Sequence, residues 1–238
     1  MHRIAIASWS RAERALSVAL LLVAGLGQAQ PLPGTTVERQ GDAIVFRGRI
    51  DDASATTFLQ LLQEPGVRRL VITSPGGLVI PALDMAEALA ARGLDVEVPE
   101  ACFSSCANYV FLAGRRKLLG GPAVVGWHGN MTHVLHLQQI GEGRWTRPEV
   151  AAAHVLAQRE AAFFQRIGVD GFVCWFAKLP PYNVEDFYAL TPQDMAVFGI
   201  REVSVRAGGV PPYAPPGVQM VSVDRAGLEA VRPAVPLE

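Results

Sequence analysis

The chain has 238 residues, a formal net charge of -1, and half of its residues hydrophobic. That length allows one sizeable domain, and that composition allows a real core. The charge balance excludes a basic nucleic-acid-binding protein and an acidic disordered one.

The N-terminus carries the first functional signal. Arg3, Arg11 and Arg14 precede an apolar stretch over residues 15–26, and Gly27, Gln28 and Ala29 follow. A positive start, a short apolar run and small residues at its end are the parts of a secretory signal. They predict a signal peptide over 1–29, cleaved after Ala29, and an exported protein, periplasmic or secreted. The alternative is an uncleaved N-terminal membrane anchor, which would keep the domain close to a membrane. The run is short of the roughly 20 apolar residues of a span. Three cysteines remain: Cys102, Cys106 and Cys174. An oxidising compartment permits a disulfide, and the odd count leaves one thiol unpaired within the chain.

Residues 30–40 read as a polar leader, and 43–50 as a strand. Asp51 or Asp52 then caps a helix with Ala55, Phe58, Leu59 and Leu62 on one face. Pro65-Gly66 ends it, and 67–73 read as a buried strand. Ser74-Pro75-Gly76-Gly77 is a turn. A second helix follows, with Val79, Ala82, Leu83, Ala86, Leu89 and Ala90 in one stripe and Gly93 as its stop. Residues 94–98 are the next strand, broken by Pro99-Glu100. A short helix runs from near Ser105 to Gly114. Residues 117–119 and 123–127 are short strands that end at His128.

After His128 the pattern changes. Residues 129–145 read as a loop with some strand character. Thr146 and Glu149 form a capping box. The helix they open carries Val150, Ala153, Ala157, Ala161 and Phe164 on one face and ends at Gly168. A short helix spans roughly 170–178, another runs from Thr191-Pro192 to near Gly199, and 202–205 are a last strand. Residues 207–238 read as a mobile Pro/Gly-rich tail, which leaves 30–206 as the domain. Strands alternating with helices predict an α/β fold, a mostly parallel sheet flanked by helices. Ligands of such sheets sit beyond the carboxyl ends of the strands. Gly76-Gly77, Ser105 and His128 all fall there.

These residue types suit acyl transfer. A serine needs a base to take its proton, a histidine is the usual base, and a carboxylate orients the histidine. Preorganised N–H donors must meet the oxyanion. Ser104 and Ser105 stand at a strand-to-helix junction, where either also reads as a plain N-cap. Two adjacent glycines let a backbone approach a ligand and present N–H groups. His128, His133 and His136 lack the glutamate and the helix of a zinc-protease motif, so no metal is expected.

Taken together, Ile72-Thr73-Ser74-Pro75-Gly76-Gly77, the segment from Cys102 to Gly114, and Val124-Val125-Gly126-Trp127-His128 resemble the Clp protease proteolytic subunit. The likeness covers residues 43–130 well and runs more loosely to about 205. It implies the crotonase-like fold, a repeated β-β-α spiral. It also implies a serine peptidase that needs no cofactor. The family nucleophile lies nine residues before the glycine that ends its helix, and counting back from Gly114 selects Ser105. The family histidine matches His128. Its oxyanion donors match Gly76, Gly77 and Cys106. Its aspartate falls nearest to Asp186 but one residue out of register, so Glu185 is the alternative.

Three departures stand out. Cys102 and Cys106 bracket the serine and read equally as a disulfide that locks the turn or as two small buried residues. An exported chain has no ATP supply, so the family's ATPase partner is not expected. Relatives on the same fold that work at membranes use a serine–lysine pair. Lys117 is the lysine nearest the motifs, but it sits on a predicted strand, and His128 fits the scheme better. The expected partners are a peptide or protein substrate and, through the helix at 146–167, further copies of the chain. Two other readings stay open: a catalytically silent binding or scaffolding protein, and an acyl-CoA enzyme. Export away from cytosolic CoA argues against the second.

Overall fold

The computed structural model describes residues 34–206 and 215–235. The apolar stretch at 15–26 and the cleavage point after Ala29 lie outside the described residues. Among the described residues, no helix is long and apolar enough to cross a membrane.

The fold is α/β, with a mostly parallel sheet between helices. The sheet is built from β1 (Thr36–Gln40), β2 (Ala43–Arg47), β3 (Arg69–Thr73) and β4 (Asp95–Val98), then β6 (Lys117–Leu119) and β9 (Val203–Val205), in the order β1-β2-β3-β4-β6-β9. Only β1 is antiparallel to its neighbour. A second ladder crosses the ends of these strands. It links Ile50 to Gly77, Ser74 to Cys102, and β5 (Ala101–Phe103) to β7 (Val124–Gly126). It continues from Trp127 to Tyr188, and from β8 (Phe187–Ala189) to β10 (Val218–Met220). Each turn of the chain therefore gives a sheet strand, a rung of the second ladder and a helix. The helices are α1 (Asp52–Leu62), α2 (Val79–Arg92), a π-helix (Cys106–Phe111) and α3 (Met131–Gln139). This is the repeated β-β-α arrangement expected from the motifs.

Local chemistry explains the boundaries. Asp51 caps α1 in a reciprocal pair: its carboxylate accepts from Ser54 N at 2.8 Å, and Ser54 Oγ accepts from Asp51 N at 2.9 Å. Thr146 and Glu149 open α4 (Arg147–Ile167), where the Glu149 carboxylate accepts from Thr146 N at 2.7 Å. One face of the parallel strands is fully buried, with Ile44, Phe46, Leu70, Ile72, Val96 and Val98 in the core, while the edge strand β9 is largely exposed.

Four segments differ from the sequence reading. Residues 36–40, read as leader, form β1; this edge strand is mostly exposed, so it shows no apolar periodicity. Residues 101–103 form β5, directly after the Pro99-Glu100 break. Residues 131–139, read as loop, form α3; the missed signal is Asn130, whose side chain accepts from His133 N at 3.1 Å as an N-cap. The short helix at 170–178 is two 3-10 turns, Gly171–Cys174 and Phe176–Lys178. The tail is also structured in part. Residues 218–220 form β10, and α6 (Arg225–Val231) buries Leu228. The last helix of the domain proper, α5 (Pro192–Val197), is capped by Thr191 as expected.

Candidate active site

The site forms where β5 and β7 end side by side. Phe103 pairs with Gly126 in the last rung, so Ser104 and the segment from Trp127 to His128 leave the ladder together. Ser104 N donates to Gly126 O at 3.0 Å, and Ser104 O accepts from Asn108 N at 2.8 Å. Between these bonds Ser104 adopts φ 56°. A non-glycine residue there is strained, typically by about 1–3 kcal/mol, and persists only where its surroundings force it. The disulfide between Cys102 and Cys106 does some of that forcing, since it closes on either side of Ser104. Gly76 lies against the turn. A Cβ on it would meet Phe103 O at 2.5 Å and Ser104 Cβ at 2.7 Å.

The hydroxyl that meets the histidine belongs to Ser104. Ser104 Oγ lies 2.7 Å from His128 Nε2. Ser105, selected by counting back from Gly114, is instead 2% exposed and accepts from Gly77 N at 2.8 Å. The reason lies in the helix. Residues 106–111 are a π-helix, whose wider turn takes up one residue more than an α-turn over the same height. A residue count along such a helix therefore does not fix which serine faces the histidine. The two glycines also act differently from the expectation. The N–H of Gly77 is taken by Ser105. A Cβ on Gly77 would lie 1.9 Å from Ile50 O, so close backbone packing already demands glycine there.

His128 is held by its neighbours. Trp127 and Tyr188 exchange two backbone bonds, Trp127 N to Tyr188 O at 2.9 Å and Tyr188 N to Trp127 O at 3.0 Å. This brings the Phe187 ring within 4.6 Å of the imidazole centre. Asn108 Nδ2 donates to Gly129 O at 2.8 Å and ties the loop to the π-helix. His128 is exposed on one side of the turn's surface, and the protein atoms packed around the ring push its pKa down to about 4, helped by the Lys178 ammonium. His133 is lowered to about 4 for the same two reasons, with His136 and His128 adding repulsion. His133 and His136 both pack on Trp175, at 5.5 and 5.2 Å between ring centres.

The expected third member is not on His128. Asp186 and Glu185 are exposed, and among the described residues neither carboxylate hydrogen-bonds the imidazole. Their main-chain carbonyls, with that of Val184, accept from Lys178 Nζ. Three carbonyls satisfy the three donors of the ammonium. Lys178 therefore clamps the 184–186 turn and places a cation, not an anion, near His128. It is also the lysine of the site. Lys117 lies at the opposite end of β6, where Nζ donates to Gly114 O at 2.7 Å. It lines a cleft of about 550 Å³ with Arg115, Arg166 and Arg201. Sequence reasoning missed Lys178 because its partners are main-chain carbonyls, which carry no sequence signal.

No protein-family model matches the chain. No curated protein matches it. Among solved structures, it is similar to an enoyl-CoA hydratase from Mycobacterium avium subsp. paratuberculosis K-10, with 15% identity over 41% of this chain and a TM-score of 0.31. The match spans 51% of that hydratase chain, about half its length. So partial a match says nothing about chemistry, which rests on the site itself.

Proposed function

We propose that the protein is an exported serine hydrolase that cleaves peptide bonds with Ser104 as nucleophile and His128 as base. The observation that carries this reading is the 2.7 Å contact between Ser104 Oγ and His128 Nε2, made by a serine in a left-handed turn. His128 is neutral at pH 7, so its Nε2 can accept the serine proton. The alkoxide attacks a carbonyl carbon, and the N–H of the following residue, Ser105, meets the oxyanion at the start of the helix. The imidazolium returns the proton to the leaving amine; His128 then takes a proton from water, the hydroxide attacks the acyl carbon, the bond to Ser104 Oγ breaks, and the proton passes to Oγ. With no carboxylate among the described residues behind it and Lys178 nearby, the imidazolium gains little support, so turnover is slow beside that of a full triad. Export, through the segment at 1–29, and self-association, through α4, belong to the same reading. The Cys102–Cys106 disulfide suits an oxidising compartment.

Two observations favour the alternative of a catalytically silent binding protein: the low basicity of His128, and no carboxylate on it among the described residues. A fluorophosphonate probe separates the two. The wild type and Ser105→Ala should label, and Ser104→Ala should not. Labelling that survives Ser104→Ala but not Ser105→Ala would return the nucleophile to Ser105. A folded wild type that takes no label would favour the binding protein.

A further inference from the structure

We propose that Glu160 is the positioning residue of the Ser104–His128 pair: its buried carboxylate ties the helix behind the serine to the loop that carries the histidine. This deepens the hydrolase reading and rests on it. Glu160 stands in the middle of α4 and is fully buried. Its Oε1 accepts from the Tyr109 hydroxyl and from Met131 N at 3.2 Å. Its Oε2 accepts from Asn130 Nδ2 at 2.9 Å. The nearby Thr132 N–H also favours the ionised carboxylate.

These partners belong to two elements. Tyr109 lies on the π-helix, five residues after Ser104. Asn130, Met131 and Thr132 begin α3, two to four residues after His128. A carboxylate buried without partners costs far more than packing returns, so a single glutamate among Ala157, Phe163 and Phe164 needs such donors to exist at all. The N-terminus of α3 adds the favourable end of a helix dipole. Asn130 Oδ1 then caps the same helix by accepting from His133 N. In a triad the carboxylate touches the imidazole. Here it holds the backbone on both sides of the reacting atoms, and the Asn108–Gly129 bond runs beside it as a second tie.

The hold depends on charge. An ionised carboxylate accepts from all three donors, whereas a protonated one must turn a hydrogen toward them. Burial pushes the pKa of Glu160 up to about 7, against the pull of its hydrogen bonds. The titratable groups facing it are Tyr109 and the Cys174 thiol, both pushed well above their ordinary values, so neither changes charge near neutrality. Arg159, its neighbour in sequence, turns away to Asp84 and Glu87 on α2.

The test measures fluorophosphonate labelling rate against pH for the wild type, Glu160→Gln and Tyr109→Phe, alongside the His128 ring signals in histidine-labelled protein. In the wild type the rate should rise through about pH 7. Glu160→Gln sets an amide NH2 among N–H donors; it should lose that limb and label about 10- to 100-fold more slowly at pH 8. Tyr109→Phe removes a bond that lowers the pKa of Glu160 and should move the limb to higher pH. Glu160→Gln labelling at the wild-type rate with the limb in place would overturn the proposal. Should Glu160→Gln fail to fold, an unmoved limb in Tyr109→Phe would do the same. A wild type that takes no label removes the hydrolase reading instead. The ring signals still decide then: a His128 shift near pH 7 that the variants abolish or displace supports the positioning role, and a shift unaffected by both overturns it.

Discussion

The two serines differ by one position and by everything that surrounds them. Ser104 has a strained backbone, a histidine at its hydroxyl and one disulfide whose two cysteines flank it. Ser105 is buried, and its oxygen satisfies the N–H of Gly77. Its role is therefore structural, and its removal leaves a buried donor without a partner, which costs about 1–3 kcal/mol. Ser105→Ala should lower the unfolding free energy measured in urea by that amount while labelling persists. Unchanged stability with lost labelling would reverse the two roles. The sequence made the serine pair, His128 and the double glycine visible, because serines and glycines at strand ends punctuate a chain. It could not separate Ser104 from Ser105, since that depends on how many residues one helical turn consumes. Nor could it show that Asp186 and Glu185 turn to solvent, since Lys178 directs their backbone through carbonyls common to every residue.

At the level of elements, the strand-to-helix junction is the part under tension. β5 delivers Phe103 in register with Gly126, and the π-helix starts at Cys106, so two residues must make the corner. The Cys102–Cys106 bond spans a sequence separation of four, a loop so short that it stabilises the whole fold by only about 2 kcal/mol in the chain-entropy account. Its effect on the corner is larger in kind, because it joins the strand end to the helix start across the left-handed serine. Reduction should slow labelling of Ser104 by tenfold or more while the melting transition moves only modestly. The two are read on the same sample with and without reductant. Equal labelling in both states would show that the backbone bonds of Ser104 to Gly126 and Asn108 hold the corner alone. The elements that sequence patterns revealed, α1, α2, α4 and the parallel strands, are those with a continuous apolar face and a clear cap. Among those it missed, β1 is exposed over most of its length, and α3 is half-buried with a weak apolar stripe, announced only by Asn130.

Across the whole molecule, the chain returns to the site from its far end. The composition after residue 206 is that of a tail, since proline and glycine break periodicity. Yet β10 pairs in parallel with β8, the strand that brings Phe187 to His128 and Tyr188 to Trp127. Val221, Val223 and Leu228 are buried against the domain. Asp194 on α5 accepts from Ser222 Oγ at 3.0 Å and from Val223 N at 2.9 Å. Arg232 pairs with Asp170 and lies over the Phe172 ring at 4.5 Å. Proline and glycine tell where regular structure stops, but not whether a few residues further on can add a strand to an open edge. Ending the chain after Arg206 would remove three core side chains, each worth about 1.5–3 kcal/mol of burial, and strip Asp194 of two donors. The shortened protein should lose at least about 4 kcal/mol in urea unfolding. Its His128 should also lose part of the wall that Phe187 provides, which labelling rate would report even where the fold survives. A truncated protein with full stability and full labelling would make the segment a tail after all, and would leave β8 as the true edge of the second ladder.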